Sequence, residues 1–325
     1  MTHQALFISI ATALASLSAV SSAYEFTATN TFDSNTTQIK VNCDNHPKAL
    51  KNALERKVPA REKTRLVISG ECHGPLYIEQ GNVEIVNDAK RSGSLRVTQA
   101  NAEQVAILVQ SAIVRLENFN INVPSGMAAI KAQANASVAI DGMSTNAKSD
   151  WEVPRGQYIA TDSSSLFLNH LNEAEVLVIG ASSADFGAGN TQTTLDVRDT
   201  SAAKSSGEAN TFKQVQVSAN AYFLADNKAR IAALGIWGKA AVEINRESEV
   251  GKIDMGGQTM FAAYRKSSVT GPYGLYGNVV FELEHSTASN WVTPAKPHSI
   301  FSGNNATVNS VLYPGWSWSG QGSNP

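Results

Sequence analysis

Near its C-terminal end the apolar positions of this chain fall into columns. A bulky residue stands at Phe223, Val242, Phe261 and Val280, and a small one six positions later at Ala229, Ser248, Ser267 and Ser286. In most units an aliphatic residue follows two further on, as at Ile231, Val250 and Val269, and both columns step by 19 residues. A constant period with self-similar spacing marks a solenoid, in which each unit buries its apolar face only against its neighbours. Within a unit, Val242-Glu243-Ile244 alternates apolar and charged side chains, the period of a strand with one face inward. Asn245-Arg246-Glu247 turns the chain, Ser248 suits a tight corner, and Val250 returns to the core.

The same register is read further back, at Val105/Ser111/Ile113, Ile130/Ala136/Val138, Tyr158/Ser164/Leu166 and Leu195/Ser201/Ala203, now spaced by 25, 28, 37 and 28 residues. The surplus is assigned to loops inserted between strands at 145–156, 180–190 and 205–210, which a solenoid tolerates because they project sideways. These spacings do not divide by six, so a left-handed hexapeptide helix fits badly. The pattern predicts an all-β fold, a right-handed parallel β-helix over residues 63–292.

Before it, Ile39-Lys40-Val41 alternates like a short strand. Asp44 or Asn45 offers a helix N-cap, Pro47 suits the first turn, and Ala49, Leu50, Ala53 and Leu54 share one helical face that ends before Pro59. A solenoid must hide the open end of its core, so the 24–62 segment is read as a lead followed by a capping helix. From Val292 the pattern stops, and 293–325, with Trp316 and Trp318, reads as an extended tail.

Residues 1–23 read as a secretory signal peptide: an apolar run rich in Ala, Leu, Ile and Ser, then Ser21-Ser22-Ala23 at the cleavage positions. No segment of the mature chain is long and apolar enough to span a membrane. Export gives meaning to the two cysteines, Cys43 and Cys72, which either form a disulfide closing a loop of about 30 residues, adding roughly 3 kcal/mol, or remain two buried thiols. Neither has zinc-ligand or redox-motif spacing, so no metal site is expected. Charged residues make up 17% of the chain and the net charge is −2, with no basic run, which argues against a nucleic-acid partner.

Two features together resemble the right-handed parallel β-helix superfamily that includes pectate lyases. One is the coil register. The other is Val41-Asn42-Cys43, a helix, and Leu66-Val67-Ile68-Ser69-Gly70-Glu71-Cys72-His73-Gly74-Pro75-Leu76, which looks like the disulfide-linked N-terminal cap of secreted bacterial members. The resemblance implies a secreted protein and a polysaccharide partner. It carries over no active site. The NTD, DD, GHG and RIK segments of polygalacturonases are missing, as are the WIDH-like and RxPxxR segments of pectate lyases. Gly74-Pro75-Leu76-Tyr77-Ile78-Glu79 has one residue too many for the esterase motif.

The candidate chemistry lies on loops and outward strand positions. Asp185 is expected in a glycine-rich loop and Asp150, Trp151, Glu152 and Arg155 in another; carboxylates beside an aromatic are what glycoside cleavage uses. The bland reading of both loops is solvated polar surface. Asp196 and Arg198 alternate on a strand and share an outer face if Leu195 and Val197 point inward. They form either an exposed ion pair or, with calcium, a β-elimination site; no other cofactor is implied. The corner columns Lys228, Glu247, Lys266, His285 and Asn227, Arg246, Arg265, Glu284 read most simply as structural charge alternation. Trp151, Trp237 and Trp291, with Tyr264, Tyr273 and Tyr276, are candidates to stack on sugar rings, against the alternative of core filling or end capping. The expectation is an exported carbohydrate-associated binding or scaffold protein, with a divergent polysaccharide lyase or hydrolase, or an adhesive spacer, as rivals.

Overall fold

The structure, a computed structural model, describes residues 36–59, 62–147, 157–291 and 300–315 and the backbone of 318–319. The chain is 57% strand and 3% helix and winds as a parallel β-solenoid of about 11 turns. Each coil lays one strand in a long sheet, A, and one in a second, C. The first four coils add a short strand of a third sheet, B, between them, represented by Gly93–Arg96, Asn120–Asn122 and Ser144–Thr145.

Two of the inward columns show how the core is built. On sheet A, Val114, Val138, Leu166, Ala184, Ala203, Phe223, Val242, Phe261, Phe281 and Phe301 stack in register. On sheet C the column is Ile107, Ile130, Tyr158, Val176, Leu195, Val215, Leu234 and Ile253. All are buried. Where that sheet A column narrows to Ala184 and Ala203, Phe186 in the next inward column of the same sheet meets Phe212 edge to face at 5.2 Å, and Phe212 meets Phe223 at 5.7 Å. Large beside small keeps the volume per coil constant, as a close-packed interior requires.

These columns correct the sequence register in three places. The early units Ile130/Ala136/Val138 and Tyr158/Ser164/Leu166 straddle the corner from sheet C to sheet A, whereas Phe223/Ala229/Ile231 straddles the corner from A to C, so one apparent register is two. The 37-residue gap hides a whole coil: Glu175–Val178 and Ser183–Phe186 are strands, and 180–190 is not an inserted loop. Ala184, standing in the bulky column, is too small to be read as part of it. Last, Phe261 pairs with Phe281 rather than Val280, because one residue is gained between Val269 and Tyr273.

The small columns have a hydrogen-bonding cause. At the C-to-A corner the Oγ atoms of Ser164, Ser182 and Ser201 accept the amide N–H of Ala136, Ser164 and Ser182 at 3.1, 3.2 and 3.3 Å. At the A-to-C corner Ser248 Oγ accepts the Ala229 N–H at 3.2 Å. For the Ser182 and Ala229 amides the hydroxyl of the next coil is the acceptor that an alanine would remove, whereas the Ala136 and Ser164 amides also reach the Gln133 and Thr161 carbonyls at 3.3 Å.

At the N-terminal end the strand Thr36–Asn42 pairs with Lys63–His73, and the helix Ala49–Lys57 packs Leu50 and Ala53 into the same core. The helix has Lys48 as N-cap with no side-chain cap bond, not Asp44 or Asn45. Asp44 is engaged elsewhere, pairing with Arg91 at 3.0 Å. Cys43 and Cys72 form a disulfide, and the flanking bonds Cys43 N–H to Ser69 O (2.8 Å) and His73 N–H to Pro47 O (2.7 Å) tie the helix lead to the first coil. At the other end the parallel ladder passes the expected boundary at 292. Ile300–Asn304 adds to Val280–Glu284, and Ala306–Val308 to Thr287–Ala288. Val311–Tyr313 then turns back antiparallel on Ala306–Val308 and ends that ladder.

Candidate functional site

With the inward positions committed to packing, chemistry is left to the outward faces and the corners. On sheet A one outward column runs Arg65, Glu84, Arg115, Ala139, Phe167, Asp185, Lys204, Leu224, Glu243, Ala262, Glu282. Its N-terminal part alternates in sign. Asp185 lies here, on the strand Ser183–Phe186 and not in a loop. Its carboxylate pairs with Lys204 Nζ at 3.0 Å and accepts from Ser206 Oγ at 2.6 Å. Further along, burial pushes Glu243 and Glu282 above the ordinary carboxylate range, and for Glu282 the charges of Glu284 and Glu243 add to the effect.

Asp196 and Arg198 are on the other sheet. Leu195 and Val197 are fully buried, as the alternation predicts, and Arg198 Nε donates to Asp196 Oδ1 at 2.9 Å. This bond raises the Arg198 guanidinium above its ordinary pKa. Asp185 and Asp196 therefore face out from different sheets and form no carboxylate pair; each is neutralised by its own cation. Asp150, Trp151, Glu152 and Arg155 lie outside the described residues.

The outward column of sheet C continues from Asp196 through Gln216, Gly235, Asp254 and Gly274. The neighbouring column holds Trp237, Gly256 and Tyr276. Glycine in a strand interior is unfavourable unless another group must come close, and here each glycine receives a side chain from the preceding coil. A Cβ on Gly235 would lie 2.2 Å from Gln216 Oε1, one on Gly256 2.5 Å from Trp237 Cζ3, and one on Gly274 2.3 Å from Asp254 Oδ1. Gln216, Trp237 and Asp254 thus lie down along the solenoid axis instead of standing off the sheet. Trp237 Nε1 donates to Gln216 Oε1 at 3.2 Å, and Lys252 pairs with Asp254 at 2.7 Å, which lifts the lysine above its ordinary pKa. Tyr276 completes the surface, its ring within 14° of parallel to that of Trp237 with centroids 6.5 Å apart. The two rings are 38% and 54% exposed, among the few large hydrophobic side chains that face solvent.

The result is a shallow aromatic platform edged by an amide, a carboxylate and an ammonium. On the same face toward the N-terminus a groove of about 490 Å³ is floored by Ile159, Leu177 and Ile179 and walled by the Lys131–Glu103 pair. Of the other aromatics, Trp291 is buried: it packs on Tyr273 and Phe281 at 4.9 Å and on Phe301 at 5.0 Å, closing the core near its C-terminal end. It offers no face to a ligand. Tyr273 belongs to the same cluster, its hydroxyl donating to the Val269 and Ser289 carbonyls. Of the sequence candidates, then, Trp237 and Tyr276 come together, and the structure adds Gln216, Lys252, Asp254 and the three glycines to them. Gly235, Gly256 and Gly274, at outward strand positions, were the available signal.

Among the described residues no group of three or more His, Cys, Asp or Glu could hold a metal ion, and no helix is long and apolar enough to cross a membrane. Comparison of the chain with protein-family models, with curated proteins and with solved structures gives no match.

Proposed function

We propose that this is an exported carbohydrate-associated protein that binds or displays glycan through the outward face of sheet C. The observation that carries the reading is the Trp237–Tyr276 platform. Exposed aromatic rings nearly parallel to one another on a strand ladder, with Gln216, Asp254 and Lys252 beside them, suit the apolar face and peripheral hydroxyls of a sugar ring. Export is supported by the apolar N-terminal run and by the Cys43–Cys72 disulfide, which persists in an oxidising compartment. The fold class agrees with the β-helix superfamily, but fold alone is an analogy and names no activity.

The test uses residues 24–325, a panel of neutral and uronate-rich polysaccharides, and isothermal calorimetry beside indole fluorescence. Saturable binding that Trp237→Ala weakens at least ten-fold, with an unchanged circular dichroism spectrum, supports the platform. Binding indifferent to both Trp237→Ala and Tyr276→Ala, or no binding across the panel, overturns it. New reducing ends, or calcium-dependent unsaturated product, would instead identify a hydrolase or lyase.

A further inference from the structure

The corner from sheet A to sheet C carries a second surface. Over five successive coils it opens into a trench of about 770 Å³ with four cationic side chains, Lys228, Arg246, Arg265 and Lys266, against two carboxylates, Glu208 and Glu247; His285 lines its C-terminal end. Lys228 pairs with Glu208 at 2.9 Å. Arg246 is held from behind by the buried Asp226, its Nε donating at 2.6 Å. Among the described residues Arg265 and Lys266 have no carboxylate partner.

The backbone under these side chains is costly. Lys228, Arg246, Glu247, Arg265, Lys266 and His285 have φ of 62°, 49°, 63°, 53°, 66° and 50°. Left-handed turns favour glycine or asparagine, and the opposite corner takes the same conformation with short residues, among them Ser163, Ala181, Asp199, Ala219, Gly238, Gly257 and Gly277 at 63°, 62°, 61°, 63°, 80°, 95° and 87°. The left-handed conformation is common to both corners, so what sets this one apart is that long charged side chains recur at it coil after coil. Parallel stacking sets their geometry, since corresponding positions recur along the axis at about 4.8 Å. A linear polymer with one negative charge per sugar advances by a comparable step.

We propose that this trench binds an acidic glycan running along the solenoid axis, its carboxylate or sulfate groups engaging Arg265 and Lys266 and then Lys228 and Arg246. The choice of glycan rests on the carbohydrate reading above, but the residues are separate. Trp237 is seven residues along its strand from the trench edge at Arg230, roughly 23 Å at strand rise.

The experiment measures binding of residues 24–325 to polygalacturonate (carboxylate), dextran sulfate (sulfate), dextran (neutral) and single-stranded DNA, at low and high salt. It compares the wild type with the double variant Arg265→Gln/Lys266→Gln and with Trp237→Ala. The expected result is salt-sensitive binding of at least one acidic glycan, at least ten-fold weaker in the double variant, with dextran binding unaltered by that variant. Which acidic polymer binds identifies the anionic group. Acidic-glycan binding unchanged in the double variant overturns the trench even if Trp237→Ala abolishes dextran binding. Loss in the double variant beside indifference to Trp237→Ala keeps the trench and removes the platform. DNA bound as tightly as either glycan, through the same residues, overturns the assignment to a glycan.

Discussion

Ser248 and Ser267 occupy the same corner position one coil apart, both fully buried, yet their hydroxyls are in different situations. Ser248 Oγ accepts the Ala229 N–H at 3.2 Å and donates to the Asn245 carbonyl at 2.6 Å. Ser267 Oγ has no hydrogen-bond partner. Removing the first hydroxyl strands a buried amide, at a cost of about 1–3 kcal/mol, whereas removing the second deletes a polar group that was already unsatisfied and should be neutral or slightly stabilising. Ser248→Ala should therefore lower Tm by about 2–4 °C for each kcal/mol lost, while Ser267→Ala should leave Tm unchanged or raise it. Thermal and urea unfolding followed by circular dichroism read both, and the linear-extrapolation slope tests whether unfolding stays cooperative. Equal losses in the two variants would refute the reasoning, because size and burial are matched and only the hydrogen bonds differ.

Trp291→Ala should lose about 3–5 kcal/mol by emptying the aromatic cluster with Tyr273, Phe281 and Phe301. At a temperature where the variant remains folded, its glycan affinity should match wild type; loss of binding at full folding would return Trp291 to the candidate site. Glu243 and Glu282 titrate above the ordinary carboxylate range in the native state. Between about pH 4.3, the value for an unperturbed glutamate, and those raised values the native state holds more protons than the unfolded one, so stability falls as pH rises through that window. Urea midpoints measured across it should decline with pH, and Glu282→Gln should flatten the decline; a rise instead would show that these carboxylates gain a cation.

The solenoid was legible because its bulky inward residues repeat. Phe223, Val242 and Phe261 cannot be exchanged for polar residues without burying an unpaired group, so packing writes them into the sequence at a fixed step. Legibility failed where packing has alternatives. Ala184 hides a coil because Phe186 and Phe212 supply its missing volume, and volume can be traded between positions without trace in a single column. The two corners look alike in sequence because both need a small residue under a backbone amide, Ser164 at one and Ser248 at the other. Trp237 could be named as a platform residue and Trp291 could not be told from it. Nothing local distinguishes an indole lying over Gly256 from one that plugs the end of the core.

Both proposed surfaces lie in the C-terminal coils, and coil length gives a physical reason. Along the sheet A column the early steps are uneven, 24 residues from Val114 to Val138 and 28 from Val138 to Leu166, with a sheet B strand between A and C. From Leu166 onward the steps stay between 18 and 20 and sheet B has ended. Strand pairing keeps outward residues in line in the early coils as well, as at Arg65, Glu84 and Arg115; coils of nearly equal length extend that alignment to the corners, where the trench cations recur. An extended ligand read along the axis needs that uniformity. The inward columns do not, since Phe186 and Phe212 show that the core accommodates uneven side-chain size. The even coil length thus aligns the corner residues of the C-terminal coils, and the binding experiments on Trp237 and on Arg265 with Lys266 test whether that alignment serves a ligand.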